Sequence, residues 1–185
     1  MLIHNFKRIS ITIAGLILAC QIFAQSNLPN DTLHWNENRK LSWNDFKGEP
    51  LDYTGFQGEA FCMNMANYER PNAFSKTTFA VTAVFDRTKS WVNPKAKTDQ
   101  GLLYFQVMFD LYELHARELK KELSEINLGN DPNSIFQEEY NHSMTALSNE
   151  FNEFRKDTKL GQDSNVLTDW NRKTQEKLKL LDNYK

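Results

Sequence analysis

Three stretches of the chain carry side chains that could do chemistry. Asp110, Glu113 and His115 lie within one short helical stretch. On a helix the two carboxylates share a face, and His115 falls just off it. A buried Asp is usually paired, so Asp110 is expected to form a hydrogen bond or salt bridge, with Arg117 or with the chain's opening strand. Glu139 and His142 stand three apart, with Glu138 one residue earlier. That spacing is half of a carboxylate di-iron site, which needs a second E-x-x-H and further glutamates on facing helices. No second copy occurs, which favours a structural or surface role. Cys62, in Ala60-Phe61-Cys62-Met63, reads as a small buried hydrophobe, since a catalytic thiol needs a partner in an electropositive pocket. His34 beside Trp35 is expected to be exposed. There is no G-x-S-x-G elbow and no Gly-rich phosphate loop.

The first of these stretches belongs to a helix expected over 98–123, with Thr98 or Asp99 as its N-cap. Its core, GLLYFQVMFDLYEL, is apolar nearly all round, the pattern of a helix covered on every side. A second helix is expected from Asp131-Pro132, a cap followed by proline at the first position. Its apolar residues Phe136, Tyr140, Met144, Leu147, Phe151 and Phe154 recur every three to four positions, and Gly161 ends it. A third spans 164–183, with Val166, Leu167, Trp170, Leu178 and Leu181. Before the helices, residues 33–92 read as short strands and turns. Leu41-Ser42-Trp43 reads as a strand entering a turn, residues 61–68 alternate, and Phe79, Val81, Ala83 and Phe85 share one strand face. Arg70-Pro71-Asn72 and Asp86-Arg87-Thr88 read as turns, and Asn127 to Asn130 as the break after the first helix. The class expected is α+β: a small, mostly antiparallel sheet followed by three helices, in one domain over 33–185.

The 185 residues suffice for one domain with a core. Residues 1–24 read as a signal peptide: Lys7 and Arg8 precede an apolar run too short to span a bilayer as a mature helix, and Ala24 precedes the cut. A second reading lipidates Cys20, because Ile17-Leu18-Ala19-Cys20 loosely resembles a lipobox. Residues 25–32 are polar and expected to be a flexible start. Export to the periplasm or outside of a bacterial cell follows from either reading, and no transmembrane helix is expected in the mature chain. The net charge is −2, or −4 once the two leader bases are removed, and the lysines are scattered. That argues against nucleic-acid binding, which needs clustered cations.

Leu41-Ser42-Trp43-Asn44-Asp45-Phe46-Lys47-Gly48, Ser90-Trp91-Val92, Leu102-Leu103, Phe109-Asp110 and Glu113-Leu114-His115-Ala116-Arg117 occur in that order. Together they resemble the domain-of-unknown-function 922 family, exported bacterial proteins regarded as zincin-like, zinc-dependent peptidases. The resemblance implies a zincin-like fold with a central metal helix bearing H-E-x-x-H, two imidazoles one turn apart and a carboxylate base. It would place the first histidine at Tyr104, the base at Phe105 and the second histidine at Met108. A T-x-H-G stretch would place a third ligand at Leu160, in Thr158-Lys159-Leu160-Gly161. None of the four can ligate zinc or take a proton from zinc-bound water. The expectation is a stable apo-protein without the family's zinc: a non-catalytic pseudo-peptidase whose cleft, floored by Tyr104, Phe105 and Met108, binds a peptide or an envelope protein. The alternatives are a hydrolase with a relocated metal site at Asp110, Glu113, His115 or His142, and a structural envelope protein.

Overall fold

The computed structural model describes residues 31–50, 57–70, 72, 75–126, 129 and 131–185. The leader expected over 1–24 with Cys20, residues 25–30, Pro71 of the expected turn and Asn127 and Asn130 of the helix break lie outside them.

Alternation builds a hairpin. Strands β3 (Cys62–Glu69) and β4 (Thr78–Asp86) pair antiparallel, from Cys62 opposite Phe85 to Glu69 opposite Thr78. Strand β1 (Thr32–His34) pairs with the far side of β4, so the order is β1-β4-β3. The expected inner face of β4 holds: Val81, Ala83 and Phe85 are buried, and central position buries Val84 and Asp86 as well. On β3 the small side chains Cys62 and Asn64 are buried, and Met63 and Met65 are half-exposed. His34 is exposed, as its sequence neighbourhood suggested. A second, two-stranded ribbon joins β2 (Gly58–Glu59) to β5 (Trp91–Val92). No helix among the described residues is long and apolar enough to cross a membrane.

Two local expectations need correction. Residues Trp43–Asp45 form a 3-10 turn rather than the end of a strand. The Asp45 carboxylate accepts from the Ser42 backbone N–H (2.8 Å) and hydroxyl (3.0 Å), which closes a turn and leaves no extended segment. The flexible start also ends earlier than Thr32, because Thr32 pairs with Asp86 and Asp31 binds Arg87 and Lys47.

The first two helices begin where their caps predict, and the third at its expected start. They are α1 (Asp99–Glu125), α2 (Pro132–Asp157) and α3 (Ser164–Leu180). Thr98, Asp131 and Asp163 each accept a backbone N–H from the first turn, at Gly101, Ser134 and Val166. Helix α2 stops at Asp157, before Gly161, because the backbone turns left-handed from Lys159 onward, while the buried Thr158 hydroxyl still bonds the Phe154 carbonyl (2.7 Å). The fold is therefore α+β, a small antiparallel sheet with three helices.

Helix α1 lies at the centre, packed on β3, β4, α2 and α3. Val107, Leu111, Leu114 and Leu119 have no exposure at all. Each contributes roughly 1.5–3 kcal/mol by burial. Through this apolar helix runs one polar row, Gln106, Asp110, Glu113 and Arg117, spaced four, three and four apart and all buried. Gln106 Oε1 accepts from the Leu41 N–H (2.7 Å), and its Nε2 donates to Asp110 (2.8 Å). Asp110 also accepts from Trp35 Nε1 and from Gln175 Nε2 on α3, each at 2.6 Å. Glu113 holds Arg117 Nε at 2.8 Å, and Arg117 reaches the Leu178 carbonyl (2.9 Å) and stacks 4.9 Å over Trp35. So Asp110 is indeed a buried hydrogen-bonded acceptor, but Arg117 pairs with Glu113 and not with Asp110, because Arg117 lies seven residues away and Glu113 one turn away. Burial pushes both carboxyls above the usual range, against Lys40 and three donors at Asp110 and against Arg117 at Glu113.

Removing the guanidinium would strand the Glu113 carboxylate. Arg117→Met is expected to destabilise the fold by about 3–5 kcal/mol, while Glu113→Leu combined with Arg117→Met recovers most of that loss; urea unfolding of the two variants checks it.

Candidate functional site

Opposite the polar row, α1 floors a cavity of about 590 Å³. At 100° per residue, Tyr104 and Met108 sit about 40° apart and Asp110 lies on the far side of the helix. Tyr104, Phe105 and Met108 form the floor with Gly101 and Tyr112. Ala60, Phe61 and Cys62 close one wall, Phe151 and Arg155 of α2 another, and Leu160-Gly161-Gln162 the rim. The three α1 positions and Leu160, far apart in sequence, thus meet at one cavity.

The aromatic floor residues are fixed by ring packing. Tyr104 stacks on Phe154 (5.0 Å, 18°). Phe105 packs on Phe46 (5.1 Å) and edge-on to Trp43 (6.3 Å), so the opening Trp43 and Phe46 support the floor. Gly58 of β2 comes so close that an added Cβ would lie 3.1 Å from the Phe105 ring.

The rim is strained. Lys159, Leu160 and Gly161 take φ of 50°, 58° and 83°, three left-handed residues in succession, and only the last is a glycine. The Leu160 N–H bonds the Arg155 carbonyl (2.8 Å), the Gly161 N–H the Thr158 hydroxyl (3.2 Å), and Gln100 Nε2 the Gly161 carbonyl (2.6 Å). These bonds hold Leu160 outward with half its surface exposed. Phe61, across the cavity, is 38% exposed. Leu180 is the only other exposed large hydrophobe among the described residues, so two of the three line this cavity.

The lining has little chemistry. Among its described residues there is no His, Ser, Thr or Lys. Burial pushes the Cys62 thiol far up, and the Asp110 charge adds to this, so the nucleophilic thiolate is suppressed. Burial pushes the Tyr112 phenol up to about 12. Burial also raises the Tyr104 phenol, against the neighbouring Arg155 guanidinium. Tyr104, Phe105, Met108 and Leu160 do not fit a zinc ion: none of the four carries an imidazole, thiolate or carboxylate, and burial disfavours the phenolate of Tyr104.

The other candidate residues lie elsewhere. Asp110 and Glu113 are bound within the polar row. His115 lies not just off the face of Asp110 and Glu113 but on the opposite, floor side of α1, since 100° per residue carries it most of a half-turn round; its Nε2 meets Glu150 at 2.8 Å and its Nδ1 meets Glu118 at 3.3 Å. Lys177 of α3 completes this cluster on Glu150, so His115 ties three helices together. Glu138 and His142 are exposed on α2. Among the described residues no three His, Cys, Asp or Glu side chains converge as a metal group. Arg155 escaped notice in the sequence, though its signal was present: it lies four after Phe151 on the apolar face of α2, where a cation is out of pattern.

No protein-family model, curated protein or solved structure matches this chain.

Gly161→Ala is expected to cost about 1–2 kcal/mol from the left-handed backbone alone, and more because its Cβ would lie 2.8 Å from the Tyr104 ring; thermal unfolding measures it. A pH effect follows from Glu150, whose carboxyl is held down to about 2, first by its hydrogen bond with His115 and then by Lys177, from an ordinary 4.5. A lowered folded value stabilises above the ordinary one and is lost as pH falls through the folded one. The stability gap between wild type and His115→Gln should therefore shrink as pH drops from 4.5 to 2, read by urea unfolding across that window.

Proposed function

We propose that this chain is a zinc-free, zincin-like domain of the domain-of-unknown-function 922 type that is exported and binds peptides without cleaving them. The observation that carries this reading is the meeting of Tyr104, Phe105, Met108 and Leu160, the positions the resemblance assigns to metal ligands and base, at one apolar cavity. A cluster of unliganded imidazoles and a carboxylate would be costly to bury there, whereas Tyr, Phe, Met and Leu turn the same space into packing and contact surface. Phe61 and Leu160 at the mouth supply the exposed apolar edges that a recognition site uses. The volume suits one or two side chains of an extended segment, and aromatic and methionine walls accept varied shapes.

The test has two readouts on the purified protein. After incubation with zinc and dialysis it should hold far less than one zinc per chain. Mixed with a chymotryptic digest of casein, whose peptides end mostly in Phe, Tyr, Trp or Leu, it should retain intact peptides on size exclusion and shorten none of them. Leu160→Asp changes an exposed residue and should weaken retention about tenfold or more while leaving the unfolding midpoint in place. One tightly held zinc per chain, or cleavage of the peptides, overturns the proposal.

A further inference from the structure

We infer that the cavity is an acceptor for the C-terminal carboxylate of a peptide ending in an apolar residue, with Arg155 as the anchor; this rests on the peptide-binding reading above. Arg39, Arg87, Arg117 and Arg172 each hold an Asp or Glu within 2.8 Å. Arg155 forms no ion pair among the described residues. It is half-buried, lies on the cavity wall beside Tyr104, and rests 5.7 Å from the Phe151 ring centroid. A guanidinium held against one ring and beside a phenol is preorganised, with a fork of N–H donors matched to two carboxylate oxygens.

The chemistry of the ligand follows from what surrounds that single cation. Phosphate would leave a second negative charge against an apolar wall. An internal Asp or Glu would carry its neighbours' polar backbone on both sides into the cavity. A chain terminus instead brings one charge and, on the same Cα, one side chain for the floor of Tyr104, Phe105 and Met108. Among the described residues Glu59 is the only acid on the lining, and it is exposed on β2, where water screens it. It would favour no anion, but its charge is weak beside the partly desolvated Arg155.

The experiment uses fluorescein-labelled pentapeptides ending in Leu, Phe, Met or Val, each as free acid and as amide, with fluorescence anisotropy as the readout. At least one free acid should bind about tenfold or more tighter than its amide, the value of one charge-assisted contact. Arg155→Gln should bring the acid down to the amide's affinity and leave the amide unchanged; Arg155→Lys, which keeps the charge and loses the fork, should fall between. Glu59→Gln should leave the preference intact. Acid and amide binding alike to the wild type would overturn the carboxylate anchor and leave the peptide-binding reading standing. Binding of none of these peptides, together with no retention of casein peptides, would overturn both. Direct binding of decanoate by titration calorimetry that is lost in Arg155→Gln, with no peptide bound, would overturn the peptide terminus in favour of a fatty acid.

Discussion

The arrangement depends on a row of four polar side chains inside an apolar helix. Gln106, Asp110, Glu113 and Arg117 could not be buried on α1 unless each met a partner, since an unpaired buried charge costs more than most single contacts return. Their partners come from the segment after β1, from β4 and from the C-terminal part of α3. Because Gln106 Oε1 is committed to the Leu41 N–H, its amide can only donate to Asp110, and the chain of bonds has one sense. The row thereby fixes the rotation of α1 about its axis. The opposite face, with Tyr104 and Met108, is then aimed at one place.

That geometry explains how the floor can be apolar and yet well placed. A helix surrounded by hydrophobic contacts alone has many near-equivalent rotations, whereas directional bonds on one side select among them. On the cavity side, Phe154, Phe46 and Trp43 then lock the aromatic rings. The His115–Glu150–Lys177 cluster does a similar service further along, joining α2 and α3 to the same helix.

Much of the architecture was legible because it rests on local rules. Thr98 and Asp131 marked helix starts by their oxygens, and the all-round apolar stretch after Leu102 marked a central helix. The strand face of Val81, Ala83 and Phe85 followed from alternation. What escaped was non-local or strained. The two-residue β2 is too short to carry a pattern, and Leu41 looked like a strand residue because nothing near it reveals a bond to Gln106, 65 positions away. The partner of Asp110 was misassigned in part for the same reason: Gln175 lies on another helix. At the cavity, the apolar floor could be read from residue types, but Arg155 and the left-handed rim could not be placed beside it until α2 folded back across α1.

The run of positive φ from Lys159 to Gly161 has a kinetic corollary. Conformational cost met during folding need not be met again when a ligand arrives, so the edge presenting Leu160 is already in its final shape. An incoming chain end would then be limited by collision and orientation rather than by waiting for a loop to rearrange, in the regime of roughly 10⁵–10⁷ M⁻¹s⁻¹. Differences among ligands would show up in how long they stay, not in how fast they enter.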